Sequence, residues 1–177
     1  MEFVIALLFF AASQPSGQSY TAGTPCHEID KVDLMNAELN FESKSLRFRD
    51  GKACTTDGEG DSACDWEHTV TLDKLLTPEP GQAVRLIILN SNHLTGSGAW
   101  DHVLLFECKE GKVTSLFNQG YLNGVKVEEL GDAEFSLLSG EWLRKDPECC
   151  PSRHKREIFR WDRKKEAFTL SEKTIHK

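Results

Sequence analysis

Ala83–Leu89 reads AVRLIIL, the most apolar run in the body of the chain. It is too short for an ordinary helix and is rich in residues that suit a pleated surface. The breaker Pro78-Glu79-Pro80-Gly81 precedes it and the polar loop Asn90–Gly98 follows it, so it predicts a central strand. Working outward, Trp66–Leu72 (WEHTVTL) predicts a strand before the breaker, and Leu72–Leu76 a short helical turn. Trp100–Cys108 and Lys112–Asn118 flank the turn Lys109-Glu110-Gly111, the pattern of a hairpin. Val125–Leu130 and Ala133–Leu138 flank Gly131-Asp132, and Glu157–Asp162 and Ala167–Leu170 flank Arg163-Lys164-Lys165. Toward the amino terminus, Val32–Phe41 and Ser45–Arg49 predict an opening hairpin before the Asp50-Gly51 turn. Strand signals thus recur about every 8–12 residues, the pattern of an all-β meander, sandwich or barrel. The predicted fold is all-β: one antiparallel, sandwich-like domain, disulfide-linked, with at most a short helical turn.

The 177 residues suffice for one core, and 39% hydrophobic with 28% charged residues is an ordinary globular composition. A net charge of −7 argues against a nucleic-acid binder with a wholly basic surface. No run of about 20 apolar residues lies in the body, so no transmembrane span is expected once the leader is removed. Phe3–Ala12 (FVIALLFFAA) has the length of a secretory h-region, followed by small residues suited to cleavage after Ser13. Its departure is Glu2, where a positive n-region is usual. The expected organisation is a signal peptide over 1–13, a linker over 14–25, a β-rich domain over 26–172 and a tail over 173–177. The expected location is periplasmic or extracellular.

Six cysteines, Cys26, Cys54, Cys64, Cys108, Cys149 and Cys150, fit structural disulfides in an oxidising compartment. Cys54 and Cys64 bracket a Gly- and Asp-rich loop and are the first expected pair. A Cys149–Cys150 bond closes a strained small ring and is disfavoured. The two are expected to reach different partners, most simply Cys108 and Cys26, and so to pin the last hairpin to the sheet. No Cys-x2-Cys pair or zinc-finger His spacing is present.

Trp66-Glu67-His68, Trp100-Asp101-His102 and Trp161-Asp162-Arg163 each place Trp, an acid and a base in sequence. In a strand the first and third share a face. Either two histidines converge on a ligand, or Trp caps a core edge with its polar neighbours in water; the second is the commoner outcome. Charge is uneven: residues 1–151 carry −12 and residues 152–177 carry +5. The basic end either meets an anionic surface such as lipid head groups or lies against acidic neighbours and water.

Asp57, Glu59, Asp61 and Asp65 line one short loop with Gly58 and Gly60 between them, a weak calcium pattern. Ser62 stands where the helix–loop–helix site needs Gly, and His68 where it needs Glu. Calcium is therefore a minor expectation, and no other cofactor is expected. No Gly-x-Ser-x-Gly elbow, phosphate loop or His-Glu-x-x-His occurs, and no catalytic residue is assigned.

The carboxyl-terminal third carries Cys149-Cys150-Pro151-Ser152 and then Phe159-Arg160-Trp161, with Phe168 after the turn. This resembles a class of exported bacterial proteins of unknown function that share a Cys-Cys-Pro-Ser/Thr motif. Its ending is similar to some mycobacterial lipoproteins of the LppP/LprE type. Ile29–Asn36 resembles the opening strand of that class. Ala83–Glu107 is similar to the middle of that class, a strand, a Gly-containing loop and a strand, but the Asp-Leu-Thr-Gly-Asp-Gly loop that often precedes the strand is absent here. The resemblance implies an exported β-rich module with structural cysteines and brings no activity. The expected function is a non-catalytic interaction or envelope-associated module with an unidentified protein or envelope partner. The alternatives are an envelope-directed hydrolase or hydrolase inhibitor and, third, a calcium-dependent adhesive module.

Overall fold

A computed structural model describes residues 21–41, 44–56, 64–96, 98–147 and 150–176. The expected signal peptide, most of the linker, and Asp57, Glu59, Asp61 and Cys149 lie outside the described residues. The fold is all-β and antiparallel. The central sheet contains β1 (Thr21–Pro25), β4 (Lys52–Thr55), β5 (Trp66–Glu79), β6 (Gln82–His93), β7 (Ala99–Lys109) and β8 (Lys112–Leu122), in the order β1-β8-β7-β6-β5-β4. A second sheet runs β12-β11-β10-β9, from β9 (Lys126–Leu130), β10 (Glu134–Glu141), β11 (Arg153–Asp162) and β12 (Ala167–His176). β2 (Glu38–Phe41) and β3 (Lys44–Arg47) form a separate hairpin.

The AVRLIIL run is the heart of β6 and is covered on both faces. Val84, Leu86 and Ile88, with Val103 and Leu105 of β7, pack against Phe135, Leu137, Phe159 and Phe168 of the second sheet. Ile87 and Leu89, with Leu104 and Phe106, pack against Ile29, Leu34, Leu39, Leu46 and Phe48. Alternation sends neighbouring side chains to opposite faces, so a strand apolar on both faces reads as a continuous run. The result is three layers: residues 26–41 with 44–48, the central sheet, and the carboxyl-terminal sheet.

Turn chemistry matches the sequence reading. Asp50 and Gly51 have φ of 51° and 76°, and Glu110 and Gly111 have 53° and 76°. Two successive positive-φ residues make the primed turn that fits the twist of a two-residue hairpin. Four local expectations are corrected. The helical turn over Leu72–Leu76 is instead the middle of β5, which runs 14 residues. Pairing with β6 is unbroken across Leu72–Leu76, so Leu72 and Leu76 share the face toward the second sheet and Leu75 takes the other, while β5 shifts register on either side, between Val70 and Leu72 and again between Leu76 and Glu79. The second irregularity also accommodates Pro78. The strand expected over Val32–Phe41 begins only at Glu38, after short 3-10 turns at Ile29–Lys31 and Leu34–Asn36. Asp33 draws the second one in, accepting from the Met35 amide at 3.1 Å and the Asn36 amide side chain at 2.8 Å. Finally, Thr21–Pro25, expected as linker, forms β1, and Lys173–His176, expected as tail, completes β12, with His176 paired to His154.

Cys54 pairs with Cys64 as expected, with Cα atoms 5.5 Å apart. The expectation that Cys149 and Cys150 reach Cys108 and Cys26 is overturned: Cys26 and Cys108 bridge each other, Cα atoms 5.9 Å apart. The reason is register. Cys26 follows β1, its amide donating to the Gly111 carbonyl at 3.0 Å, which sets it beside the β7–β8 hairpin that carries Cys108.

Candidate functional site

The two amino-terminal Trp-acid-His triplets meet at one end of the central sheet. His68 on β5 pairs with Ser91 on β6, and Ser91 pairs with Trp100 on β7. Trp66 pairs with His93, and His102 with Leu89. Directly opposed residues share a face, so Trp66, His68, His93, Trp100 and His102 project to the side that residues 26–48 cover further along. The acids go the other way. Asp101 faces the second sheet, accepting from the Asn90 side-chain amide and the Val125 backbone amide, both at 2.9 Å. Glu67 pairs with Lys52 at 3.7 Å. The third triplet stands apart: Trp161 is half-buried at the edge of the core between the sheets, edge-on to Phe168, and donates to Glu79 at 3.0 Å.

Neither sequence reading describes the outcome fully. The tryptophans do cap the sheet end, but the histidines do not turn to water: His68 is 5% and His102 2% exposed. His68 is held at both nitrogens, Nδ1 2.8 Å from Ser91 Oγ and Nε2 3.0 Å from Thr55 Oγ1. A singly protonated ring donates through one nitrogen and accepts through the other, so two hydroxyls satisfy it. His102 packs on Gly120, where an added Cβ would fall 2.6 Å from Nδ1. Burial pushes the His102 imidazole down to about 4, and neighbouring Asp101 opposes this only in part. Gly98 fits between the indoles: a Cβ there would stand 3.5 Å from Trp100 Nε1 and 3.7 Å from the Trp66 ring. Trp66 also meets His93 edge to face, ring centroids 4.7 Å apart.

Ser91, His68 and Thr55 form a line of nucleophile, base and orienting group. Two features separate it from a working triad. A hydroxyl stands where a carboxylate would stabilise the imidazolium, and Ser91 is itself buried. Asp65, the described member of the acidic loop, is fixed through its backbone, donating to Thr55 and accepting from Leu94. Among the described residues, no group of three or more His, Cys, Asp and Glu side chains is arranged to hold a metal ion.

At the opposite end of the central sheet, two open clefts adjoin. One, of about 610 Å³, is bordered by His27, Glu28, Asp30, Gln82, Glu107 and Cys108. The other, of about 510 Å³, shares His27 and Glu28 and includes Cys26. Burial raises the Glu107 carboxyl above its ordinary range, with Glu166 adding to the effect and Lys109 opposing it.

The basic carboxyl-terminal end lies largely against acids. Arg156 pairs with Glu128 at 2.8 Å, Arg163 with Glu79 at 3.0 Å, Lys155 with Glu157 at 2.9 Å, and Arg160 with Glu134. Burial works to raise the Glu157 carboxyl, but hydrogen bonds from Lys155 and Gln119 outweigh it and hold the group below its usual range.

Fold and site define a class: an all-β, antiparallel protein with two cysteine pairs at disulfide distance and histidines built into its core. Comparison with protein-family models, curated proteins and solved structures finds no match to this chain.

Proposed function

We propose that the protein is an exported, non-catalytic interaction module of the periplasm or the extracellular space. The observation that carries this reading is the pair of cysteine bridges, spanning 82 and 10 residues, because such bonds persist in oxidising compartments. Among the described residues no helix is long and apolar enough to cross a membrane, which is compatible with release. The open clefts beside His27 and Glu28 are the surfaces offered to a partner. The test is intact mass of protein collected through its own export route, alkylated under denaturing conditions before and after reduction. The expected mass begins at Gln14, and Cys26, Cys54, Cys64 and Cys108 take up label only after reduction. Retention of the leader, or labelling of those four without reduction, overturns the reading.

A second reading, an envelope-directed hydrolase, draws on the 2.8 Å contact between Ser91 Oγ and His68 Nδ1. It predicts covalent capture of Ser91 by a fluorophosphonate, abolished in His68→Gln. A protein that stays unlabelled over hours excludes it.

A further inference from the structure

Residues 26–41 and 44–48 form a strap across one face of the central sheet, with a core of its own. Ile29, Leu34, Leu39, Leu46 and Phe48 close over Ile87, Leu89, Leu104 and Phe106. Among the described residues, none of the carboxyl-terminal sheet belongs to this cluster, and the core under that sheet contains no strap residue. The two cores therefore share strands but not side chains, a division that favours sub-global opening.

The strap is fastened at identifiable points. Its carboxyl end continues into β4, with the Gly51 amide donating to Met35 and the Val70 amide to Gly51, both at 2.8 Å. Its middle is gripped by Arg85, whose guanidinium engages both carboxylate oxygens of Asp73 and reaches the Ile29, Asp30 and Val32 carbonyls at 3.4–3.5 Å. Its amino end is tied by Cys26 to Cys108. Beyond that bridge only β1 remains among the described residues, five residues long and with a break in its register. The bridge lies where the two clefts meet, Cys108 bordering one and Cys26 the other. Cys26 is buried in the strap core, whereas Cys108 is half-buried at the cleft edge, so a small thiol approaches through Cys108.

We propose that the Cys26–Cys108 bridge is a redox latch, and that its reduction by a dithiol releases the strap while the carboxyl-terminal sheet stays folded on the opposite face. A reductant thiolate attacks one sulfur, the protein S–S bond breaks, and a mixed disulfide forms. The second reductant thiol then displaces the protein sulfur. Two electrons and two protons pass to Cys26 and Cys108, and the reductant leaves as its own disulfide. With the latch closed, an opened strap is still a loop held at both ends and gains little chain entropy; with the latch cut, one end is freed. The face uncovered is apolar, formed by Ile87, Leu89, Leu104 and Phe106, so the released state presents a new hydrophobic surface. This inference goes beyond the proposed function: it shares the Cys26–Cys108 bridge with that reading but rests on no particular partner.

The test is amide hydrogen exchange on the full chain before and after treatment with dithiothreitol under native conditions. A Cys26→Ala/Cys108→Ala variant, measured without reductant, separates this bridge from the other cysteines. If that variant fails to fold, reduction of a prefolded Cys54→Ala/Cys64→Ala variant, which keeps the Cys26–Cys108 bridge, still isolates the latch. The expected result is exchange about a hundredfold faster across residues 29–48, with less than about a threefold change across residues 134–162. Equal acceleration of both regions overturns the latch and makes the bridge a staple of one cooperative unit. Unchanged exchange over 29–48 overturns it as well, because packing and Arg85 then hold the strap alone.

Discussion

His102 ties the stability of the fold to pH in a calculable way. Its imidazole is 2% exposed in the sheet, and burial lowers its pKa from 6.5 to about 4. In the unfolded chain the ring titrates at its ordinary value. Between the two values the unfolded state binds a proton that the folded state refuses, so stability falls as pH drops. The gap corresponds to about 3.4 kcal/mol once both states are protonated, and to about 2 kcal/mol at about pH 5. The carboxyls held low in the fold, Glu157 among them, act below this window, because their contribution is lost only as pH falls through the acid range. Glu107, raised by burial, gives an opposing slope shared by wild type and variant. The assay is urea unfolding at about pH 7.5 and about pH 5 for the wild type and His102→Gln. The variant is less stable at the higher pH, because the packing on Gly120 is lost. Across the interval, however, the wild type loses about 2 kcal/mol more than the variant. Slopes equal within about 0.5 kcal/mol would refute the reasoning, since the imidazole would then not be held neutral by burial.

Two further perturbations probe the two faces of the central sheet. Phe135→Ala removes a fully buried ring that stacks on Phe159 at 5.1 Å and is expected to cost about 3–5 kcal/mol in chemical denaturation, whereas Leu170→Ala, at a half-exposed site, should stay within about 0.5 kcal/mol. On the other face, Arg85→Met leaves Asp73 without its guanidinium in a site where the two side chains are 16% and 17% exposed, and should cost about 3 kcal/mol by urea unfolding. A loss under about 1 kcal/mol there would show that the clamp contributes little to seating the strap.

Much of the architecture was legible in local chemistry. AVRLIIL announced a central strand because only a strand covered on both sides is apolar at every position but one. Asp50-Gly51 and Glu110-Gly111 announced their turns because positive φ is cheap for Gly and tolerated by few other residues. Cys54 and Cys64 were readable as a pair because a short loop keeps them close in any compact state. The misreadings share one cause. Leu72, Leu75 and Leu76 have helical spacing, and only pairing with β6, regular across these residues, makes the segment a strand. The tail residues Lys173–His176 carry no strand pattern of their own and are ordered by β11 beside them.

By itself, then, the sequence determined the all-β class, the turn positions, the Cys54–Cys64 loop and the presence of two Trp-acid-His triplets, because each depends on residues near one another along the chain. Tertiary structure alone decided what those pieces do. It set both triplets on one sheet face, with Ser91 between His68 and Trp100, and sent their acids to the other side. It joined Cys26 to Cys108 across 82 residues and placed Arg85 under the carbonyls of a segment more than 50 positions away. Such contacts follow from strand register and layer packing, which depend on the whole set of buried faces rather than on any local stretch.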